Sequence, residues 1–172
     1  MLNKIGVIGA GQMGSGIAHV CALAARDVVL MDIDQGALDK ALTKISGDMD
    51  RQIKRTLIAD EDKAAALAQI STVTDIAGLS DCDMVIEAAT EDEAVKIKIF
   101  ESLCPHLNDS AIIASNTSSI SITRLAARTD RPHKFMGMHF MNPVPMMKLV
   151  ELIRGLATDQ ATFAAVQELT RD

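Results

Sequence analysis

A glycine pattern placed between two apolar segments constrains this chain more than any other feature. The apolar, β-branched run over residues 5–8 is followed by G-x-G-x-x-G, formed by Gly9, Gly11 and Gly14. In a strand–turn–helix unit the first glycine permits a tight turn, the second lets a pyrophosphate approach the backbone, and the third lets helix and strand pack closely. The pattern predicts a dinucleotide site with the pyrophosphate at a helix N-terminus, where free N–H groups favour negative charge.

An acidic residue, Asp32, ends the second apolar run, over residues 28–31. It lies at about the 20-residue distance expected of an acid that binds the ribose. A carboxylate there accepts hydrogen bonds from both ribose hydroxyls and repels a 2′-phosphate, which favours NAD over NADP. Gln12 and Met13, inside the glycine pattern, are expected at the cofactor too. The alternative interpretation is an ordinary glycine-rich turn.

Composition narrows the class of protein. The chain has 172 residues, 48% of them hydrophobic, and a net charge of −6. This length suits one domain, and the negative charge disfavours a nucleic-acid surface. Trp and Tyr are absent, so platforms for base stacking are scarce. No apolar run approaches the roughly 18 residues of a membrane span.

Cysteine and histidine usage gives further expectations. Cys21, Cys82 and Cys104 are odd in number and widely spaced, which favours reduced thiols and the cytoplasm. No Cys or His cluster has the spacing of zinc ligands, so no metal is expected.

Apolar runs and helical segments alternate along the chain, which predicts an α/β fold of Rossmann type: a doubly wound, mostly parallel sheet over residues 1–172. A long helical insertion covers about residues 35–68. Strands are predicted at 5–8, 28–31, 70–73, 84–88, 111–114, 135–140 and 149–153. Helices are predicted at 13–24, 35–58, from Asp60, at 93–107, at 120–127, and from Asp159 to the last residue. The final helix has no stop signal, which suggests a piece of a longer protein.

Two motifs carry a family resemblance. They are SNTSS at residues 115–119 and GMHFMNPVPMMKLVE at residues 137–151. With the glycine pattern and VIEAA at 85–89, they resemble the 3-hydroxyacyl-CoA dehydrogenases, in particular the bacterial 3-hydroxybutyryl-CoA dehydrogenases. The resemblance covers the whole chain.

The resemblance implies an oxidation of (S)-3-hydroxyacyl-CoA to 3-oxoacyl-CoA, with specific residue roles. The implied catalytic base is His139, its partner is Glu151, and Ser118 contacts both substrate and nicotinamide. Further implied cofactor contacts are Glu91, Lys96 and Asn142. The family also has a C-terminal helical domain that supplies a catalytic asparagine, part of the acyl-CoA site and most of the dimer interface. That domain is absent from this chain, so the chain is expected to bind NAD and to be poorly active; the parent protein is expected to be a homodimer or higher oligomer.

This chain departs from the family pattern at two places. Ala24-Ala25-Arg26 precedes the second strand where the family usually has a glycine. On the long helix, Asp48 and Arg55 occupy the positions of a serine and a lysine that contact CoA. Arg55 can still meet a phosphate of an acyl-CoA substrate, whereas Asp48 cannot be assumed to contact it.

The chemistry of the residues agrees with the implied roles. Histidine has an unperturbed pKa near 6.5, which suits proton transfer in both directions at neutral pH. A carboxylate on its other ring nitrogen fixes the tautomer and stabilises the imidazolium. Hydride transfer itself is the chemistry of the cofactor and needs no metal.

Plainer interpretations stand beside these. His139 could be a core histidine, Glu151 a solvated acid at a strand end, and Ser118 a helix cap. Glu91 and Lys96 could be surface charges of a helix. Glu87 could line the site or cap a backbone group. A basic patch is formed by Arg51, Lys54 and Arg55. This patch could be a solvated helix face or a partner for CoA phosphates. A CoA-independent hydroxy-acid dehydrogenase and a non-catalytic, crystallin-like NAD-binding module are the rival functions.

Overall fold

A single seven-stranded sheet organises residues 2–171, the part of the chain that the computed structural model describes. The strand order is β3-β2-β1-β4-β5-β6-β7. Strands β1 to β6 pair in parallel, and β7 pairs antiparallel with β6 at one edge. The strand bounds are β1 Lys4–Ile8, β2 Asp27–Met31, β3 Ile70–Val73, β4 Met84–Glu87, β5 Ile112–Ser115, β6 Phe135–Phe140 and β7 Val150–Arg154. The order of the parallel strands is that of the doubly wound Rossmann fold, which confirms the predicted fold class.

Side chains alternate between the two faces along each strand, and both faces of this sheet carry apolar side chains. Helices cover both faces and bury these side chains in two clusters. Ile5 and Val7 of β1 enter one buried cluster, with residues of α1, α2 and α6, while Ile8 enters a second cluster with residues of α4 and α5. The helix bounds are α1 Gln12–Leu23, α2 Gln35–Lys54, α3 Asp60–Ala68, α4 Glu93–Leu103, α5 Ile122–Ala126 and α6 Gln160–Leu169. No helix among the described residues is both long and apolar enough to cross a bilayer.

Three predicted C-terminal helix ends were wrong by three or more residues. Helix α2 ends at Lys54 and not at residue 58, because Thr56 adopts a left-handed conformation with φ of 56°. The N–H of Leu57 then bonds to the carbonyl of Gln52, as in a Schellman motif. Helix α4 ends at Leu103 and is followed by a short 3₁₀ turn.

The third wrong end is that of α6, which ends at Leu169 with Thr170 as its cap. The prediction extended it to the last residue, Asp172, which lies outside the described residues. Its predicted start is confirmed, since Asp159 accepts a hydrogen bond from the N–H of Thr162 at 2.7 Å.

The end of α1 uses an alanine where glycine is the usual residue. Ala25 has a φ of 56°, and its N–H bonds to the carbonyl of Ala22 while that of Arg26 bonds to Cys21. This is a Schellman ending with alanine at the left-handed position, a conformation that costs an L-residue roughly 1–2 kcal/mol. The alanine that stands here where the family usually has a glycine, Ala25, is therefore a site of local backbone strain.

Candidate active site

The glycine turn lies where the strand order reverses, between β1 and β4. In open α/β sheets, ligands bind at the carboxyl ends of the strands at such a point. Gly9 has a φ of 101°, and a Cβ there would lie 2.8 Å from the carbonyl oxygen of Ala88, just after β4. A Cβ on Gly14 would lie 1.7 Å from the carbonyl oxygen of Gly9. These two glycines are therefore required by the fold itself.

The middle glycine is different. A Cβ on Gly11 would meet no atom of the described protein within 4 Å. Gly11 is also the N-cap of α1, and no side chain caps this helix end. The space and the uncapped first turn, which starts with Gln12 and Met13, fit an anion such as a pyrophosphate.

Asp32 follows β2 on one side of this turn. Its Oδ2 accepts the Ala10 N–H at 2.8 Å, and its Oδ1 accepts the Asp34 N–H at 3.1 Å. The carboxylate borders an open cleft of about 720 Å³ that Ile33, Ile76, Val95 and other apolar side chains line. The cleft combines apolar walls with the charged groups of Asp32, Asp75 and Lys98, which suits the adenosine half of a dinucleotide.

On the other side of the turn, a cavity of about 280 Å³ brings together residues that are far apart in sequence. Its lining includes Met13, Glu91, Lys96, Ser118, His139 and Asn142. The Gln12 amide donates to Asn142 Oδ1 at 2.9 Å, which joins α1 to the loop after β6. The residues that the sequence selected on both sides of the glycine turn thus converge at one edge of the sheet.

His139 and Glu151 are direct partners across the antiparallel strands β6 and β7. Imidazole Nδ1 lies 2.8 Å from Glu151 Oε2. If Nδ1 carries the proton that this carboxylate accepts, Nε2 is left as a free base. The side chains of His139 and Glu151 are 21% and 52% exposed, so both are partly open to solvent. The Phe140 N–H donates to Asn116 Oδ1 at 2.8 Å, which anchors the strand end beside the imidazole.

Glu91 organises the SNTSS turn. Its Oε1 accepts from the Thr117 hydroxyl at 2.5 Å, from the Ser118 N–H at 3.0 Å and from the Ser119 hydroxyl at 3.2 Å. Burial raises the pKa of this carboxyl, but these hydrogen bonds and the Lys96 ammonium outweigh it, so the net pKa is lowered. Glu91 is therefore held as a carboxylate that fixes the turn at the cavity.

Ser118 does not cap the helix that follows it. The cap of α5 is Ser121, whose hydroxyl accepts the Arg124 N–H at 3.3 Å. Ser118 is exposed, and its hydroxyl lies 3.4 Å from Glu91 Oε1. The capping interpretation was wrong, and this hydroxyl lines the cavity beside His139.

Lys96 is not a surface charge. Its side chain is 1% exposed, and its ammonium lies 2.7 and 2.9 Å from the two oxygens of the fully buried Glu87. Glu87 also accepts from the Ser115 hydroxyl at 2.6 Å and from the Ala89 N–H at 2.8 Å. Sequence reasoning missed this pair; the signal was an acid at the end of a buried strand, which needs a partner.

The basic patch on α2 lies elsewhere. Asp48 pairs with Lys44 at 2.7 Å and with Arg51, and the three residues line a separate cavity of about 290 Å³ with Arg55 and Met146. Burial raises the pKa of Asp48, but the hydrogen bond and charge of Lys44 and the charge of Arg51 outweigh burial. The net pKa of this carboxyl is therefore lowered. Asp48 therefore neutralises part of this patch and leaves Arg55 as an exposed cation beside it.

Among residues 2–171 no group of three or more His, Cys, Asp or Glu side chains is arranged to hold a metal ion.

The fold and the site define a dinucleotide-binding domain of the Rossmann class. Residues 4–172 match the family model of the 3-hydroxyacyl-CoA dehydrogenase NAD binding domain, and the chain belongs to this family. NAD is the cofactor of this domain.

Two curated relatives and one solved structure place the chain within the family. It is 56% identical over 168 residues to 3-hydroxybutyryl-CoA dehydrogenase of Bradyrhizobium diazoefficiens, covering 98% of this chain and 57% of that protein. It is 43% identical over 168 residues to the protein of the same name from Clostridioides difficile, covering 98% and 60%. The crystal structure of (S)-3-hydroxybutyryl-CoA dehydrogenase from Ralstonia eutropha matches with a TM-score of 0.97 at 48% identity, covering 99% and 60%. The chain thus spans about three-fifths of the length of these relatives.

Proposed function

We propose that this chain is the NAD-binding part of an enzyme that reversibly oxidises (S)-3-hydroxyacyl-CoA, with 3-hydroxybutyryl-CoA as the first candidate, to 3-oxoacyl-CoA. The observation that carries the proposal is His139, which lies 2.8 Å from Glu151 and lines one cavity with Ser118 and Asn142 beside the glycine turn. The names of the relatives support the choice of substrate.

Each side chain then has a defined task. When bound, NAD supplies the hydride acceptor. In the oxidative direction neutral His139 takes the proton of the 3-hydroxyl group at Nε2, while Glu151 stabilises the imidazolium that forms. In the reductive direction the imidazolium donates this proton to the 3-keto oxygen. The Ser118 hydroxyl donates a hydrogen bond to the same oxygen, where charge develops.

The residues proposed to bind NAD lie at the glycine turn and on both sides of it. The first turn of α1, with Gly11, Gln12 and Met13, holds the pyrophosphate, and Asp32 holds the adenosine ribose. Asn142 and Glu91 lie toward the nicotinamide end, and Lys96 acts there through its ion pairs. Arg55 is the proposed contact for a phosphate of CoA.

The setting of the protein is part of the proposal. The whole enzyme is a homodimer or a higher oligomer in the cytoplasm, where its three buried free cysteines stay reduced. The 172-residue chain alone turns over slowly, because it spans three-fifths of its relatives and its Glu151 side chain is 52% exposed.

One titration tests the proposal. The purified chain is titrated with NADH, followed by the fluorescence of the dinucleotide, which Trp and Tyr do not obscure because the chain has none. Acetoacetyl-CoA is then added, and absorbance is followed at 340 nm. We expect saturable binding and slow oxidation that His139→Gln abolishes.

The other results discriminate between the functions. Oxidation by free acetoacetate that CoA does not inhibit would favour a hydroxy-acid dehydrogenase that acts without CoA. Binding with no oxidation even at stoichiometric enzyme would favour a non-catalytic module. No NADH binding at all would overturn the proposed use of the glycine turn.

A further inference from the structure

Lys96 forms ion pairs with two carboxylates, Glu87 in the core and Glu91 at the cavity. Lys96 Nζ lies 2.7 and 2.9 Å from the oxygens of Glu87 and 3.6 Å from Glu91 Oε2. Glu87 and Lys96 are 0% and 1% exposed, whereas the side chain of Glu91 is 42% exposed. Two carboxylates share one ammonium, so the cluster carries one uncompensated negative charge. Because the ammonium lies closer to Glu87, this charge remains on Glu91, at the cavity.

The cavity that Glu91 lines is the one expected to receive the nicotinamide end, an inference that rests on the proposed function. Asp32 borders the cleft on one side of the glycine turn, and Glu91 and His139 border the cavity on the other. A dinucleotide with its ribose at Asp32 and its pyrophosphate at Gly11 extends toward the second cavity. The nicotinamide ring is cationic in NAD⁺ and neutral in NADH, so a fixed charge here acts on the two forms unequally.

We propose that Glu87 is a positioning residue that makes this site favour NAD⁺ over NADH. By holding the Lys96 ammonium, it prevents that cation from cancelling the charge of Glu91 beside the nicotinamide. Neither Glu87 nor Lys96 needs to contact the cofactor for this effect.

The remaining contacts of the two carboxylates support different tasks. Glu87 accepts from the Ser115 hydroxyl and from the Ala89 N–H, so its position is fixed by β5 and by the loop after β4. Glu91 accepts from Thr117 and from the Ser118 N–H, which hold it as an anion at the cavity. One carboxylate is thus buried as a counter-ion, and the other is presented to the ligand.

The substitution Glu87→Gln separates charge from shape. Glutamine keeps one carbonyl oxygen for the Ala89 N–H, and its amide can donate to the Ser115 hydroxyl, which can rotate to accept. The Lys96 ammonium loses one of its two oxygens and faces an N–H₂ group in its place. The ammonium therefore turns toward Glu91, whose Oε2 lies 3.6 Å away in the wild-type structure. There it cancels the charge at the cavity.

The experiment measures the dissociation constants of NADH and NAD⁺ for the 172-residue chain at low, constant ionic strength. NADH is followed by its fluorescence, and NAD⁺ by displacement of NADH. For Glu87→Gln we expect the ratio Kd(NAD⁺)/Kd(NADH) to rise roughly fivefold, mostly through weaker NAD⁺ binding. The double variant Glu87→Gln with Lys96→Met removes the cation as well, so the ratio should return to within about twofold of the wild type.

Two further variants complete the design. Glu91→Gln removes the charge at the cavity directly and should raise the ratio as Glu87→Gln does. Glu101→Gln is the matched control, because it removes a carboxylate of the same helix, α4, that pairs with the exposed Arg128. It should leave the ratio unchanged.

The outcomes separate this proposal from the proposed function. Equal weakening of both cofactors by Glu87→Gln would mean a purely structural role and would overturn the proposal. If Glu87→Gln does not fold, the double variant and Glu91→Gln test the proposal. A raised Kd(NAD⁺)/Kd(NADH) ratio in the double variant, or an unchanged ratio in Glu91→Gln, would contradict the proposal. A wild-type chain that does not bind NADH would instead overturn the proposed function, and this inference with it.

Discussion

His139 Nδ1 and Glu151 Oε2 lie 2.8 Å apart because β7 runs antiparallel to β6 and places the two residues directly opposite each other. Directly opposed residues of an antiparallel pair project to the same face of the sheet. The contact is therefore set by strand register, and a shift of one residue would turn the carboxylate to the other face. The antiparallel edge strand thus supplies the carboxylate that orients the proposed base.

Glu151→Gln should slow the reduction of acetoacetyl-CoA by roughly a hundredfold or more, because the amide cannot stabilise the imidazolium as a carboxylate does. NADH affinity should stay within about threefold, since Glu151 lies behind the imidazole. The measurement is single-turnover oxidation of NADH with the chain in excess. The control Glu61→Gln changes an exposed carboxylate of α3 and should react like the wild type. An undiminished rate in Glu151→Gln would contradict the proposed pair.

The glycines of the turn should respond to alanine in different ways. Gly14→Ala should lower the free energy of unfolding by about 3 kcal/mol, because its Cβ would overlap the Gly9 carbonyl oxygen. Gly11→Ala should cost less than about 1 kcal/mol and yet weaken NADH at least about tenfold, since the methyl group occupies the space through which a pyrophosphate approaches. Urea unfolding and NADH titration measure the two effects.

Gly47→Ala provides the matched control. Gly47 lies within α2, and a Cβ there would meet nothing within 4 Å. The variant should gain up to about 1 kcal/mol of stability from helix propensity and keep its NADH affinity. Wild-type NADH affinity in Gly11→Ala would place the pyrophosphate elsewhere.

The strained end of α1 offers a stabilising substitution. Ala25 has a φ of 56°, which glycine adopts without steric cost. Ala25→Gly should therefore raise the free energy of unfolding by about 1 kcal/mol. Urea unfolding measures this, with Ala24→Gly as the control that should destabilise, because Ala24 has a φ of −79°. A loss of stability in Ala25→Gly would show that the alanine methyl group packs favourably enough to offset the strain.

The fold and the glycine turn after β1 could be predicted from the sequence because their signals are local. The glycine spacing, the strand before it and the acid at Asp32 lie within one short segment. The prediction for Lys96 lacked such a signal. Its burial depends on β4 and α4 bringing Glu87 within 2.7 Å of its ammonium, which a pattern of charges along a helix does not reveal.

Helix ends were predicted less well for a related reason. The end of α2 is determined by a left-handed threonine, Thr56, a residue type that seldom marks such a position. Likewise, three serines and a threonine lie near the start of α5, and only the geometry selects Ser121 as its cap. Residues of similar propensity cannot be ranked until the packing of the neighbouring elements is known.

Asp32→Asn tests the choice between the two nicotinamide dinucleotides. Removal of the charge should weaken NADH roughly tenfold, because hydrogen bonds to a charged acceptor are stronger than neutral ones. It should also lower the ratio Kd(NADPH)/Kd(NADH), since the 2′-phosphate no longer meets a carboxylate. Any disturbance of the hydrogen bonds from Ala10 and Asp34 affects both cofactors alike, so the ratio is the informative quantity. An unchanged ratio would mean that Asp32 does not lie at the ribose.

His19 should make stability depend on pH. The ring is fully buried between α1 and α2, Nε2 lies 2.9 Å from Gln52 Oε1, and Nδ1 has no hydrogen-bond partner. Burial lowers the pKa of this imidazole, against the smaller opposing effects of Gln52 and Asp48. The unfolded chain therefore binds a proton near pH 6.5 that the folded chain does not, so stability should fall as the pH drops below about 6.5.

The size of this effect has an upper bound of about 1.4 kcal/mol per pH unit. Urea unfolding between about pH 7 and pH 5 measures it, and His19→Gln should reduce the slope because glutamine does not titrate and can still donate to Gln52. His106→Gln, at an exposed position, is the control for the loss of one histidine and should retain the wild-type slope. If His19→Gln retains the full slope, the buried imidazole is not its source, and carboxylates with lowered pKa values, such as Asp48 and Asp130, would have to account for it at lower pH.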